Sequence, residues 1–133
     1  MELKSKLLQH LSPDLLLPRF RHQKHRLGGY CYVVSEALFH LLGGKKAGLK
    51  PMFLKHENLS HWWILGPQGE IWDLTAEQFQ TPVPYAKSVG KGFLTRNPSK
   101  RSQELIKRVS SELGPSQISI PALMRTNNHV HQI

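Results

Sequence analysis

Apolar positions recur along this chain in two rhythms, and the change between them separates helices from strands. In LKSKLLQHL, residues 3–11, leucines return at helical spacing before Ser12-Pro13-Asp14 ends the run, which predicts a short amphipathic helix. Gly28-Gly29 then breaks the chain. Val33, Val34, Ala37, Leu38, Leu41 and Leu42 follow at helical spacing until Gly43-Gly44 supplies a stop, so a buried helix is predicted over 31–42, beginning at Cys31.

Beyond that helix the rhythm shortens. PMFLKHE, SHWWILG and EIWDLT are brief and rich in aromatic and aliphatic residues, and Pro67-Gln68-Gly69 joins the last two. Residues near 51–55, 60–65 and 70–75 therefore read as three antiparallel strands. The next stretch, QFQTPVPYAKSVGKGFLT, is punctuated by Pro and Gly and predicts mostly loop, with 83–85 and 93–95 as short edge strands. Asn97-Pro98-Ser99 opens a further helix, over about 99–113, whose apolar stripe is Leu105, Ile106, Val109 and Leu113. Residues 114–133 mix Pro, Ser, Asn and His without periodicity and are expected to form a loosely packed tail. These elements predict an α+β fold, one domain over 1–133 with its core at about 28–113, in which the Cys31 helix packs on a small antiparallel sheet.

Composition narrows the possibilities. A chain of 133 residues with 39% apolar content has material for one core. Charges or prolines interrupt every apolar stretch before the roughly 18 to 20 residues that a membrane span needs, so no span is predicted. Lys4, Lys6, His10 and Asp14 break up any secretory h-region, and cytoplasmic residence is the expectation. The single cysteine excludes an intramolecular disulfide. Eighteen Lys and Arg against nine Asp and Glu give +9, which favours nucleic acid, an anionic membrane surface or an acidic protein as a partner. The basic clusters, Arg19 to Arg26 and Lys100 to Arg108, carry few interleaved aromatics and read as solvated faces. No histidine pair has the spacing of a zinc protease, one cysteine is too few for a thiolate zinc cage, and Gly90-Lys91-Gly92 lacks the phosphate-loop pattern. Neither metal nor cofactor is expected.

The chemistry concentrates in three residues. A thiol nucleophile at the start of a helix meets unpaired N–H groups and the positive end of the helix dipole, both of which favour the thiolate. Cys31 occupies that place behind Gly28-Gly29-Tyr30, where small residues let a substrate carbonyl approach the backbone and the Cys31 N–H. His61 on the second strand is the candidate base. With the hairpin centred at Gln68, position 61 falls opposite position 75, so Asp73 is its diagonal neighbour on the same face. Such an aspartate orients the imidazole and stabilises the imidazolium. By alternation Trp63 shares the His61 face and is the candidate cleft wall, while Trp62 and Trp72 point the other way. Glu36, among apolar helix positions, is expected to be structural, as a buried partner of Arg or Lys.

The texts GGYCYVVSEAL and SHWWILGPQGEIWDLTAEQF carry Cys, His and Asp in the order of the papain-like cysteine enzymes, which this chain resembles over about residues 28–80. Within that superfamily it is similar to the transglutaminase-like and arylamine acetyltransferase branches. His61-Trp62-Trp63 resembles the transglutaminase-like His-Ala-Trp, and Asp73-Leu74-Thr75 its Asp-Pro-Thr; Trp62 and Leu74 are the departures. The resemblance implies a papain-like fold and a peptidase, deamidase or acyl transferase working through a thioester on a protein, peptide or small acyl substrate. It also implies a second oxyanion donor shortly before the cysteine: Gln23 is the candidate, eight positions upstream rather than the usual six, and Tyr30 is its rival. A non-catalytic basic module that binds nucleic acid or an acidic protein is the alternative.

Overall fold

The computed structural model describes residues 2–21, 25–94 and 96–112. Among them are three α-helices, α1 (Glu2–Gln9), α2 (Cys31–Leu41) and α3 (Lys100–Ser110), and four strands. The strands are β1 (Lys50–His56), β2 (Leu59–Leu65), β3 (Ile71–Trp72) and β4 (Val89–Gly90), in the antiparallel order β3-β2-β1-β4. The class is α+β. The predicted tail over 114–133 and Gln23 lie outside the described residues.

The local signals account for the helix boundaries. Gly29 takes φ 84°, a left-handed conformation open to glycine at little cost, and the chain turns there into α2. At the other end Gly43 takes φ 100° and its N–H returns to the His40 carbonyl at 3.3 Å, closing the helix as a glycine stop does. Ser99 caps α3 by accepting the Ser102 N–H at 3.3 Å, so this helix starts one residue after its predicted start.

Leu3 and Leu7 of α1, the apolar stripe of α2, and Leu105 and Val109 of α3 close one apolar cluster over Ile64 and Trp72 of the sheet. A fully buried leucine contributes about 1.5–3 kcal/mol. The α2–α3 contact also holds a charge. Glu36 is 0% exposed, and its Oε1 accepts from the Ser99 and Ser102 hydroxyls, each at 2.6 Å. Glu36 is structural, but its partners are two serines that cap and begin α3, in place of the expected Arg or Lys.

Two further strand expectations are corrected. Residues 83–85 and 93–94 form no strand; the extra edge strand is Val89–Gly90, paired with Phe53 and Met52. Pro82 and Pro84 remove N–H donors around residue 83, and Tyr85–Lys87 instead makes a 3-10 turn. Phe93 packs edge-on against Tyr32 and stacks on Trp62. The third strand is also shorter than predicted, because the chain leaves the ladder at Asp73 and winds into a 3-10 turn over Ala76–Gln78.

Candidate active site

The β2–β3 hairpin delivers the first pair. Its register, Ile64↔Trp72 and Leu65↔Ile71, is the one predicted from the Pro67-Gln68-Gly69 turn. Continued by one step it sets Asp73 opposite Trp63 and diagonal to His61. His61 Nε2 and Asp73 Oδ2 are 2.7 Å apart, and the two side chains are 0% and 1% exposed. Burial by itself lowers the proton affinity of His61, but the hydrogen bond and charge of Asp73, with Cys31 close by, outweigh it and raise the ring to about 9.

Cys31 meets this pair from α2. Its thiol donates to the carbonyl of Ser60, the residue before His61, at 3.5 Å. His61 Nδ1, the ring nitrogen that Asp73 leaves over, is buried without a hydrogen-bond partner among the described residues. Cys31 is close enough to His61 to raise the proton affinity of the ring, so the thiol and the imidazole are neighbours.

Residues that the sequence reading missed hold the pair in place. The Tyr85 hydroxyl donates to Asp73 Oδ2 at 2.8 Å, so one carboxylate oxygen serves two donors. Burial and the Asp73 charge hold the Tyr85 phenol protonated, well above its ordinary range. Phe79 sets its ring edge-on to His61 at 4.7 Å. The loop carrying Phe79 is itself anchored: Glu57, at the left-handed tip of the β1–β2 hairpin with φ 51°, accepts the Gln80 and Thr81 N–H groups at 3.0 and 2.9 Å. Neither Tyr85 nor Phe79 belongs to a periodic segment, so no sequence pattern marks them; they are identified only by the loop's path over the hairpin.

Cys31 opens onto a cavity of about 430 Å³. Its walls correct two expectations. Trp62, not Trp63, lines it beside Tyr32, in an edge-on pair at 5.1 Å. Trp63 keeps to the His61 face as alternation requires, where it packs on Tyr85 at 5.1 Å and donates to the Ser88 hydroxyl at 2.9 Å. Tyr30 lies in the apolar cluster, and its neighbour Tyr32 lines the cavity instead. Gln78 also lines it, its amide donating to Thr75 Oγ1 at 3.3 Å. Among the described residues no group of His, Cys, Asp or Glu is arranged to hold a metal ion. No helix among them is long and apolar enough to cross a membrane.

No protein-family model, curated protein or solved structure matches the chain.

Proposed function

We propose that this protein is a thiol enzyme of papain-like design, in its transglutaminase-like branch, that acts on an amide or acyl bond. The observation that carries this reading is the buried His61–Asp73 pair at 2.7 Å, with the unpartnered His61 Nδ1 and the Cys31 thiol at the same end of β2.

In this reading the Cys31 proton already resides on His61, whose ring binds a proton up to about 9, and the sulfur attacks the substrate carbonyl carbon as the thiolate of that ion pair. The carbonyl oxygen gathers negative charge beside the start of α2, whose first intrahelical bond runs from the Val34 N–H to the Tyr30 carbonyl. The Cys31 N–H has no acceptor within the helix and is the donor placed for that oxygen. Collapse breaks the bond to the leaving amine or alcohol, which receives its proton from His61, and a thioester remains on Cys31. Water or an amine, deprotonated by His61, attacks the thioester and releases the thiol. Asp73 keeps its charge throughout and stabilises the imidazolium.

An electrophilic thiol probe tests this. Cys31 of the wild type is expected to be alkylated quickly near neutral pH, and His61→Ala to slow the reaction by about 10²-fold or more. Equal rates in the two proteins would sink the assignment.

A further inference from the structure

We propose that the cavity beside Cys31 accepts a substrate with a carboxylate on an apolar body, and that Arg101 holds the carboxylate. This specificity rests on the thiol-enzyme reading, since it takes Cys31 as the reacting group.

The size is that of a small-ligand pocket. Leu15, Leu16, Val33 and Trp62 give it apolar walls, which suit an aliphatic or aromatic side chain or an acyl chain. The charged residues in the lining are Arg19 and Arg101; no aspartate or glutamate is among them. The charged side chains that line the cavity among the described residues are thus both cationic, with the Glu36 carboxylate set behind the wall in the α2–α3 contact.

Of the two arginines, Arg101 is the better placed. It sits in the first turn of α3, and none of the ion pairs among the described residues involves it. Arg101 lines the cavity together with Tyr32, and its charge reaches the Tyr32 hydroxyl, where burial and the Glu36 charge push the phenol up and the Leu94 N–H and Arg101 act against them. The Tyr32 oxygen already accepts the Leu94 N–H at 2.9 Å, which leaves the Tyr32 proton to donate. Arg101 and Tyr32, which both line the cavity, thus supply a planar fork of N–H donors and a hydroxyl donor, the set that a carboxylate satisfies and a neutral carboxamide satisfies only in part. The segment carrying Leu94 contributes an apolar rim; Leu94 is 83% exposed and also lines the cavity.

The position of α3 is secured independently. Arg108 donates to the His10 carbonyl at 2.9 Å and to Ser12 Oγ at 2.8 Å, and pairs with Asp14 at 2.8 Å. These contacts tie α3 to the segment that leads into Leu15 and Leu16. The apolar wall and the Arg101 wall are therefore held to one another by the chain's own contacts.

Two alkylating probes of the same shape test the proposal: N-iodoacetyl-leucine, which carries a carboxylate, and N-iodoacetyl-leucinamide, which does not. The acid is expected to label Cys31 roughly fivefold faster than the amide, the scale of a partly exposed ion pair. Arg101→Gln should bring the ratio to about one by slowing the acid, and Arg101→Lys should keep part of the preference. Equal rates for the two probes in the wild type, or a preference that survives Arg101→Gln, would overturn the assignment. Failure of the enzyme reading appears elsewhere in the same data, as labelling by both probes that is indifferent to His61→Ala.

Discussion

At the scale of single residues, Asp73 Oδ2 takes the His61 ring on one side and the Tyr85 hydroxyl on the other, and the proposed chemistry depends on it. A donated hydrogen bond draws charge from the carboxylate and fixes its rotation, so Tyr85 is a positioning residue acting through Asp73. Removal of the hydroxyl in Tyr85→Phe keeps the ring that packs on Trp63 but leaves the carboxylate more negative and freer to turn. The imidazolium is then held more tightly. In the wild type the His61 ring protons, followed by NMR, are expected to titrate near 9, and in Tyr85→Phe at a higher pH. Thiol labelling in that variant should slow about three- to tenfold, in keeping with a lost hydrogen bond to a charged group. An unmoved midpoint with an unchanged labelling rate would reduce Tyr85 to packing.

The same titration has a stability consequence. Because His61 in the folded protein binds its proton more tightly than an ordinary histidine, protonation favours the folded state. That contribution is fully present below about 6.5, the ordinary histidine value, and is lost as pH rises through about 9. The difference in urea midpoint between wild type and His61→Gln, followed from pH 6 to pH 10, should shrink over that window.

Among the elements, the α2–α3 contact is the most vulnerable, because a buried carboxylate stands where apolar packing is the rule. Glu36 Oε1 accepts from both Ser99 and Ser102, while its Oε2 is buried without a partner among the described residues. Glu36→Ala removes the shared acceptor from two hydroxyls and leaves a cavity, and is expected to cost about 2–4 kcal/mol by urea denaturation. Glu36→Gln retains an acceptor and should cost less. Since Arg101 follows the cap by two residues, loosening that first turn should also weaken the preference for the acidic probe. A Glu36→Ala protein as stable as the wild type would show that the serines find other partners.

At the scale of the whole molecule, the excess of nine positive charges acts on stability through self-repulsion. The ion pairs between Lys6 and Glu112 and between Arg26 and Glu77 are partly exposed, and pairs of that kind are worth about 0–1 kcal/mol each. Screening therefore relieves more repulsion than attraction. Raising NaCl from about 0.05 to about 0.5 M should lift the thermal midpoint by a few degrees, and a fall would mean that the ion pairs outweigh the net charge.

What the sequence determined by itself is local in origin. Cys31 at the head of α2 was legible because Gly29 and Gly43 punctuate a helical period. The His61–Asp73 pairing was legible because a short turn sets a hairpin's register and the register sets the face. The start of α3 was legible to within one residue because Asn97-Pro98-Ser99 precedes a helical period. Tertiary structure alone decided which loop covers that hairpin, bringing Tyr85 to Asp73 and Phe79 to His61 from a segment with no period of its own. It also decided that Trp62 and Tyr32, rather than Trp63 and Tyr30, line the cavity, and that Arg101 of α3 lines it with them. Periodicity assigns a side chain to a face of its own element, whereas the neighbour on that face depends on how elements far apart in the chain are packed. The His61–Asp73 pair thus belongs to short-range geometry, whereas the meeting of Cys31 with that pair and the walls of the cavity belong to long-range packing.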